Sequence, residues 1–282
     1  MEFISHGKSG CQIEILNDKF NFILRKTSKS LEENSRHTQR IKKQRDFYQK
    51  NRVASVKTPE VFSLFEGSKS ELSYADMKYI MGKDSLSFLK QASHNQIEAF
   101  INQLFDYLDV NFENSFEKIG YFENDNYRNK ILKKVKQIDE TLDFPRKQII
   151  MDKLKHLPID LFFIGECHGD LTLANMIHAN GNLYVFDFLD MYVDSPIFDL
   201  ISLRQDTHHL WSCFIYNDYN CRTIELLKYI DEQLKNKYCR IINNSWYNYL
   251  SLMNYVRMYR MYDNTKPHRE LNFIYNCINE YL

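Results

Sequence analysis

The sequence predicts an α+β chain with a small, antiparallel, β-rich N-terminal lobe and a larger, mainly helical C-terminal lobe. Three observations carry this reading. Apolar and polar residues alternate early in the chain, as in Gln12-Ile13-Glu14-Ile15, the period of a half-buried strand. From Ser85 the spacing becomes helical, with Phe88 and Leu89, then Ile97, Phe100, Ile101, Leu104 and Leu108. Residues 162–190 then break the helical pattern with a strand–loop–strand unit. The change of period places a boundary near residue 82, giving lobes of residues 1–82 and 83–282.

Taken in order, Cys11 to Leu16 and Phe20 to Arg25 form two strands around a turn at Asn17-Asp18, a hairpin. Residues 32–50 are polar with sparse apolar positions and read as an exposed helix, its basic run Arg36 to Arg45 a solvated face. Strands follow at Val61–Phe65, after Pro59, and at Glu71–Ile80, ending at Gly82. Helices fill residues 85–157 and resume from Ile197, including Ile224–Leu234 and Trp246–Tyr262. The tyrosine-rich last segment reads as core rather than as a substrate wall. His208 and His209 are adjacent, and adjacent helical positions face different ways, so they read as surface or packing residues.

Composition narrows the function classes. A chain of 282 residues with 44% hydrophobic and 26% charged residues is long and apolar enough for a full core. Lys+Arg and Asp+Glu both number 37, so the basic excess of a nucleic-acid binder is absent. No run approaches a membrane span, and the first residues lack the basic flank and apolar run of a signal peptide. A cytoplasmic protein is expected. Its six cysteines form no C-x-x-C pair and read as reduced thiols.

The chemistry concentrates in Cys167-His168-Gly169-Asp170-Leu171-Thr172-Leu173-Ala174-Asn175 and in Val185-Phe186-Asp187-Phe188-Leu189-Asp190. A loop presents one carboxylate and then an amide, and a hairpin returns a second carboxylate. An amide and a carboxylate converging on one point make a hard oxygen site suited to Mg²⁺. The first carboxylate, held off the metal, can accept a proton from an attacking hydroxyl. Kinase phosphoryl transfer divides the labour in this way.

His168-Gly169-Asp170 with Asn175 resembles the catalytic loop H-G-D-x-x-x-x-N of the aminoglycoside phosphotransferase and choline kinase superfamily. Phe186-Asp187-Phe188-Leu189-Asp190 resembles its metal-binding segment, and Ser195-Pro196-Ile197-Phe198-Asp199-Leu200 the stretch that follows. The resemblance implies a protein-kinase-like bilobal fold that binds ATP and Mg²⁺ between its lobes. It implies Asp170 as catalytic base, with His168 bracing the loop. Asn175 and Asp187 become metal ligands, with Asp190 ranked below them. Asp199 becomes a buried brace of the catalytic loop, and Thr172 stands where Ser/Thr protein kinases often carry Lys.

The same resemblance assigns the nucleotide contacts. His6-Gly7-Lys8-Ser9-Gly10 lies where the family has its nucleotide loop, with backbone N–H groups and Ser9 near phosphate. Arg25 and Lys26 point to opposite faces of one strand. Alignment with V-A-I-K selects Arg25 as the phosphate cation and leaves Lys26 as the fallback. Gln44 stands near the place of the acid that orients this cation, with Glu33 and Asp46 as rivals. Ala75-Asp76-Met77-Lys78-Tyr79-Ile80-Met81-Gly82 is similar to the family's hinge, so Lys78, Tyr79 and Ile80 would meet the adenine edge.

The implied activity is transfer of the γ-phosphate of ATP to a hydroxyl of a small acceptor. After Asp199 the chain carries eight acids and ten bases, a poor wall for a polycationic aminoglycoside. A sugar or sugar-derived acceptor, such as one used in cell-surface polysaccharide, is the expectation, with Arg257 and Arg260 one turn apart to meet it. Choline or ethanolamine held in an aromatic cage is the alternative, and a nucleotide-binding regulator without turnover is another. No nucleic acid or membrane partner is expected. The rapid approach from Asp187 to Asp199 leaves no long activation loop for a peptide substrate.

Overall fold

The computed structural model describes all residues except 1–2, 7–9, 19–20, 51–52, 119–125, 142, 161 and 264–267. The chain is α+β and forms two compact units, Met1–Val110 with Leu173–Asp190, and Asn111–Thr172 with Met191–Leu282.

The first unit holds a five-stranded antiparallel sheet. Strands β1 (Phe3–His6), β2 (Gln12–Asp18) and β3 (Asn21–Thr27) are followed in space by Tyr74–Lys78 and then Val61–Phe65. The β2–β3 hairpin pairs Gln12 with Thr27 and Asp18 with Asn21. Helix α1 (Asn34–Lys50) covers one face, where its Ile41 packs with Ala75 and Met77 against Leu24, Val61 and Leu64. Leu24 and Lys26, two positions apart, share that face, and Arg25 takes the other.

Helix α1 is not the exposed helix expected. Asn34, His37, Thr38, Ile41 and Gln44 are all buried. Their spacing of three and four is that of one helical face, but only Ile41 is apolar, so hydropathy alone conceals the stripe.

A second sheet of this unit orders Val56–Lys57, Asn182–Val185, Met176–Ala179 and Lys83–Asp84. Its central hairpin pairs Met176 with Val185 and Ala179 with Asn182. Gly82 enters it at close quarters: a Cβ there would stand 2.5 Å from Ile177 Cγ2 and 2.6 Å from the His178 carbonyl oxygen. No larger residue fits without displacing the hairpin.

The second unit is mainly helical, with one short strand pair, Phe116–Lys118 on Phe162–Ile164. The helix Pro196–Thr207 is buried along its whole length. The helix Ser245–Asp263 supplies Trp246, Tyr247, Tyr249 and Tyr255 to the core. Three of their polar ends are paired inside, as burial requires, and Trp246 Nε1 donates to the Asp160 carbonyl at 3.0 Å. Tyr249 donates to the Leu154 carbonyl at 2.7 Å, and the Tyr247 hydroxyl accepts from Arg204 at 2.9 Å. All six cysteines are free thiols. Among the described residues no helix is long and apolar enough to cross a membrane.

Candidate functional site

In the second unit the loop Cys167–Asp170 hangs on one carboxylate. Asp199, with no solvent exposure, accepts the backbone N–H of His168 at 2.8 Å and of Gly169 at 2.7 Å. Asp199 lies in the first turn of its helix, where Pro196 opens the helix and the Ser195 hydroxyl accepts from the Ile197 N–H. The helix N-terminus favours the negative charge there. Gly169 has φ +85°, a conformation that needs glycine. The His168 ring is also fully buried, and its Nδ1 accepts the Asp170 N–H at 3.2 Å. The loop turns tightly after Asp170, whose carbonyl accepts the Thr172 N–H at 2.8 Å. Asp170 itself is half-buried.

In the first unit the hairpin ends bring Asn175 and Asp187 together. The Asn175 carbonyl accepts the Phe186 N–H at 3.2 Å, one step beyond the Met176–Val185 pair. Asp187 has φ +68°, a region that Asp tolerates better than most residues. Its carboxylate receives a hydrogen bond from Lys26 Nζ. Arg25, which alignment selects as the phosphate cation, faces the other side of the sheet. It makes a two-pronged pair with Asp76 on the next strand, at 2.7 Å for both Nε and Nη2. Its guanidinium lies 4.3 Å from the Tyr74 ring centroid. The bond to Asp76 raises the Arg25 pKa and depresses that of Asp76.

Helix α1 clasps the segment after Asp187. Phe47 packs on Phe188 with ring centroids 5.3 Å apart, and Lys43 donates to the Leu189 carbonyl at 2.9 Å. His37 is buried, bonded through Nδ1 to the Ser73 hydroxyl at 2.9 Å. Burial, then repulsion from Lys26 and Arg40, pushes its pKa down to about 4. Arg40 is also largely buried, and burial lowers its pKa while Asp187 and Glu33 offset part of that effect. Gln44 does not reach Arg25. Its amide donates to the Pro59 carbonyl at 3.2 Å and touches Met77 Sδ at 3.9 Å. The cationic residues of α1 thus belong partly to the interior, not to a solvated face.

The remaining expected residues are dispersed. Asp190 is exposed at the end of its segment, and Gly10 is exposed at φ +79°. Ser9, with Gly7 and Lys8, lies outside the described residues, as does the side chain of Arg260. In the hinge, the Lys78 N–H is donated to the Glu60 carbonyl at 2.8 Å and the Tyr79 N–H to the Phe22 carbonyl at 3.2 Å. Ile80 follows, half-buried. His37, Arg40, Lys43 and Asp76 are not among the expected site residues, although helical spacing along α1 sets the first three on one face.

The family model for the phosphotransferase enzyme family matches residues 1–220. The chain belongs to the phosphotransferase enzyme family. Its fold agrees with solved structures. The aminoglycoside phosphotransferase APH(4)-Ia, a thermostable mutant in complex with ADP and hygromycin B, superposes with a TM-score of 0.61 at 11% identity, over 100% of this chain and 92% of that one. APH(2")-IIa in its ternary complex with streptomycin and ATP gives 0.55 at 14% identity, over 99% and 91%. The amicoumacin kinase hAmiN, bound to AMP-PNP, Ca²⁺ and Ami, gives 0.56 at 12% identity, over 99% and 88%. At such identities the likeness is one of fold. No curated protein matches the sequence.

As a member of this phosphotransferase family the chain is a small-molecule kinase acting on a hydroxyl acceptor. The first unit contains its Asn175, Asp187 and Lys26, and the second contains His168, Asp170 and Asp199. An amide and a carboxylate at adjoining hairpin ends are the oxygen ligand types that Mg²⁺ prefers.

Proposed function

We propose that this phosphotransferase moves the γ-phosphoryl group of ATP to a hydroxyl of a sugar or sugar-derived acceptor. The observation that carries the nucleotide part is the bond from Lys26 to Asp187. It sets a cation and a metal-type carboxylate side by side at the end of the hairpin that also holds Asn175. In this reading Asp170 accepts the proton of the acceptor hydroxyl, and His168 and Asp199 hold its loop. Asn175 and Asp187 would bind Mg²⁺, which neutralises charge on the phosphate oxygens, with Asp190 as an outer candidate. Lys26, rather than Arg25, contacts phosphate, because Arg25 is already committed to Asp76. Gly10 and Ser9 would approach the phosphates through backbone groups. Ile80 N–H would meet the adenine edge, since the N–H groups of Lys78 and Tyr79 are already donated. In this reading residues 1–82 serve the nucleotide and residues 83–282 serve catalysis and the acceptor.

Two observations favour a sugar over a quaternary ammonium. Tyr247, Tyr249 and Tyr255 are packed into the core, so they cannot close a cage around choline. Arg257 donates to Asn254 at 2.9 Å, and its half-buried side chain carries further N–H donors of the kind that bind sugar hydroxyls.

The test is ATP consumption with Mg²⁺ across sugars, choline, ethanolamine and aminoglycosides, with Asp170→Asn as control. Turnover with sugars alone, lost by about 10²–10⁴-fold in the mutant, is the expected result. Turnover with choline or aminoglycosides alone would replace the acceptor assignment. Nucleotide binding without turnover on any acceptor would leave a binding protein instead.

A further inference from the structure

We propose that His208, His209 and Glu280 form a zinc site separate from the phosphotransfer chemistry. Adjacent positions within a helix would face apart, but the helix ends at Thr207. The chain turns there, and the two imidazole rings converge with centroids 4.5 Å apart. Glu280 closes the group from the end of the last helix, His268–Glu280. Its carboxylate stands 3.2 Å from His208 Nε2 and 3.7 Å from His209 Nδ1. One ligand atom from each residue lies within 4.8 Å of the others. Ligands at ~2.0–2.1 Å from a tetrahedral zinc are separated by roughly 3.3 Å, so only small inward movements are needed.

The outer contacts are those of a built site. Each ring uses one nitrogen toward Glu280 and the other toward an orienting oxygen. His208 Nδ1 faces Asp231 Oδ2 at 3.5 Å, and His209 Nε2 faces the Tyr281 hydroxyl at 3.4 Å. A carboxylate behind a ligating histidine fixes the tautomer and ring angle. Asp231 is itself held by Arg204 at 2.9 Å, Lys235 at 2.9 Å and the Thr207 hydroxyl at 3.1 Å. The ring of His209 is further wedged edge-on against Tyr255. Two imidazoles and one carboxylate favour zinc over Mg²⁺, which prefers oxygen ligands. Water completes the fourth position. The ion would tie the end of the last helix to the far end of the helix that begins at Pro196 and carries Asp199.

The experiment is calorimetric titration of ZnCl₂ into the chelator-stripped full chain, without nucleotide, alongside thermal melting. The wild type binds one zinc and melts higher with it. His208→Asn and Glu280→Gln each weaken binding at least tenfold, while Tyr281→Phe, which removes only an orienting hydroxyl, weakens it less. Both ligand substitutions lie on the surface, so the zinc-free melting temperatures stay close to wild type and loss of binding is read on folded protein. Absence of zinc binding by the wild type overturns the proposal. So does binding of equal strength in both ligand variants, which would place the ion on cysteines or on the Asn175–Asp187 donors.

Discussion

Lys26 and Asp187, 161 positions apart in the chain, meet in one hydrogen-bonded ion pair. The pair is mostly shielded, with the side chains 13% and 29% exposed. Its neighbour Arg25 is spent on Asp76. The two cations therefore have different expected effects. Lys26→Ala removes the donor next to the proposed metal carboxylate and should lower kcat/KM by about 10²–10³. Arg25→Ala breaks a two-pronged pair that is about as shielded and should cost about 1–3 kcal/mol of stability, with kcat/KM near wild type. Steady-state kinetics on both variants decide the matter. The reverse order of effects would return the phosphate role to Arg25.

Asp199 braces the loop that leads into Asp170. Asp199→Ala would leave two buried N–H groups, of His168 and Gly169, without an acceptor. Each such loss costs about 1–3 kcal/mol. Asp199→Asn retains one acceptor oxygen but turns an amide N–H₂ toward a second donor, so it should be milder in stability. Both variants should lose kcat, because Asp170 follows directly in the same turn. Urea unfolding and kcat measured on the same samples provide the check. A fully active, stable Asp199→Asn would mean that the loop holds itself.

The parts of the site that could be read from sequence were those set by short spacing. Asp170, Asn175 and Asp187 sit on one loop and one hairpin, so local turn chemistry brings the last two together. Two antiparallel strands alternate, and Arg25 and Lys26 had to face opposite ways. Which face meets Asp187 depends on the cover given by α1, which sequence does not state. The same helix hid its role because its buried stripe is polar: His37, Thr38 and Gln44 carry the spacing without the hydropathy. His208 and His209 escaped for another reason. Their convergence depends on a helix ending at Thr207, and helix ends are the least legible feature of a sequence.

Gly82 tests the hinge. It is the last residue of the stretch that resembles the family hinge, and a Cβ there would overlap both Ile177 and the His178 carbonyl. The carbonyl is backbone and cannot rotate away. Gly82→Ala should therefore lower stability by about 1–3 kcal/mol. The hairpin that would shift also carries Asn175, so the KM for Mg·ATP should rise as well. Thermal melting is the first readout, and an unchanged melting temperature would show that the hairpin yields freely.

A last prediction concerns pH. The His178 ring stacks on Phe88 with centroids 3.7 Å apart and meets Phe100 edge-on at 4.8 Å. Its Nε2 is 3.0 Å from the Ser85 hydroxyl. Burial pushes its pKa down to about 4, against roughly 6.5 for an unfolded histidine. Below that unfolded value the unfolded chain binds a proton that the folded chain refuses. His178 thus favours folding above about pH 6.5, and this contribution is lost as pH falls toward 4. Fully developed, the loss is about 3 kcal/mol. His37, also held near 4, acts in the same window and the same direction. Burial pushes His209 down as well, to about 3, so His178→Gln removes one of three such titrations among the described residues, and its unfolding free energy should fall less steeply between pH 6.5 and 4.5 than that of the wild type. The comparison uses slopes, because losing the ring stack lowers stability at every pH. Identical slopes would mean that the His178 ring is protonated in the folded state and that the stack on Phe88 opens to admit water.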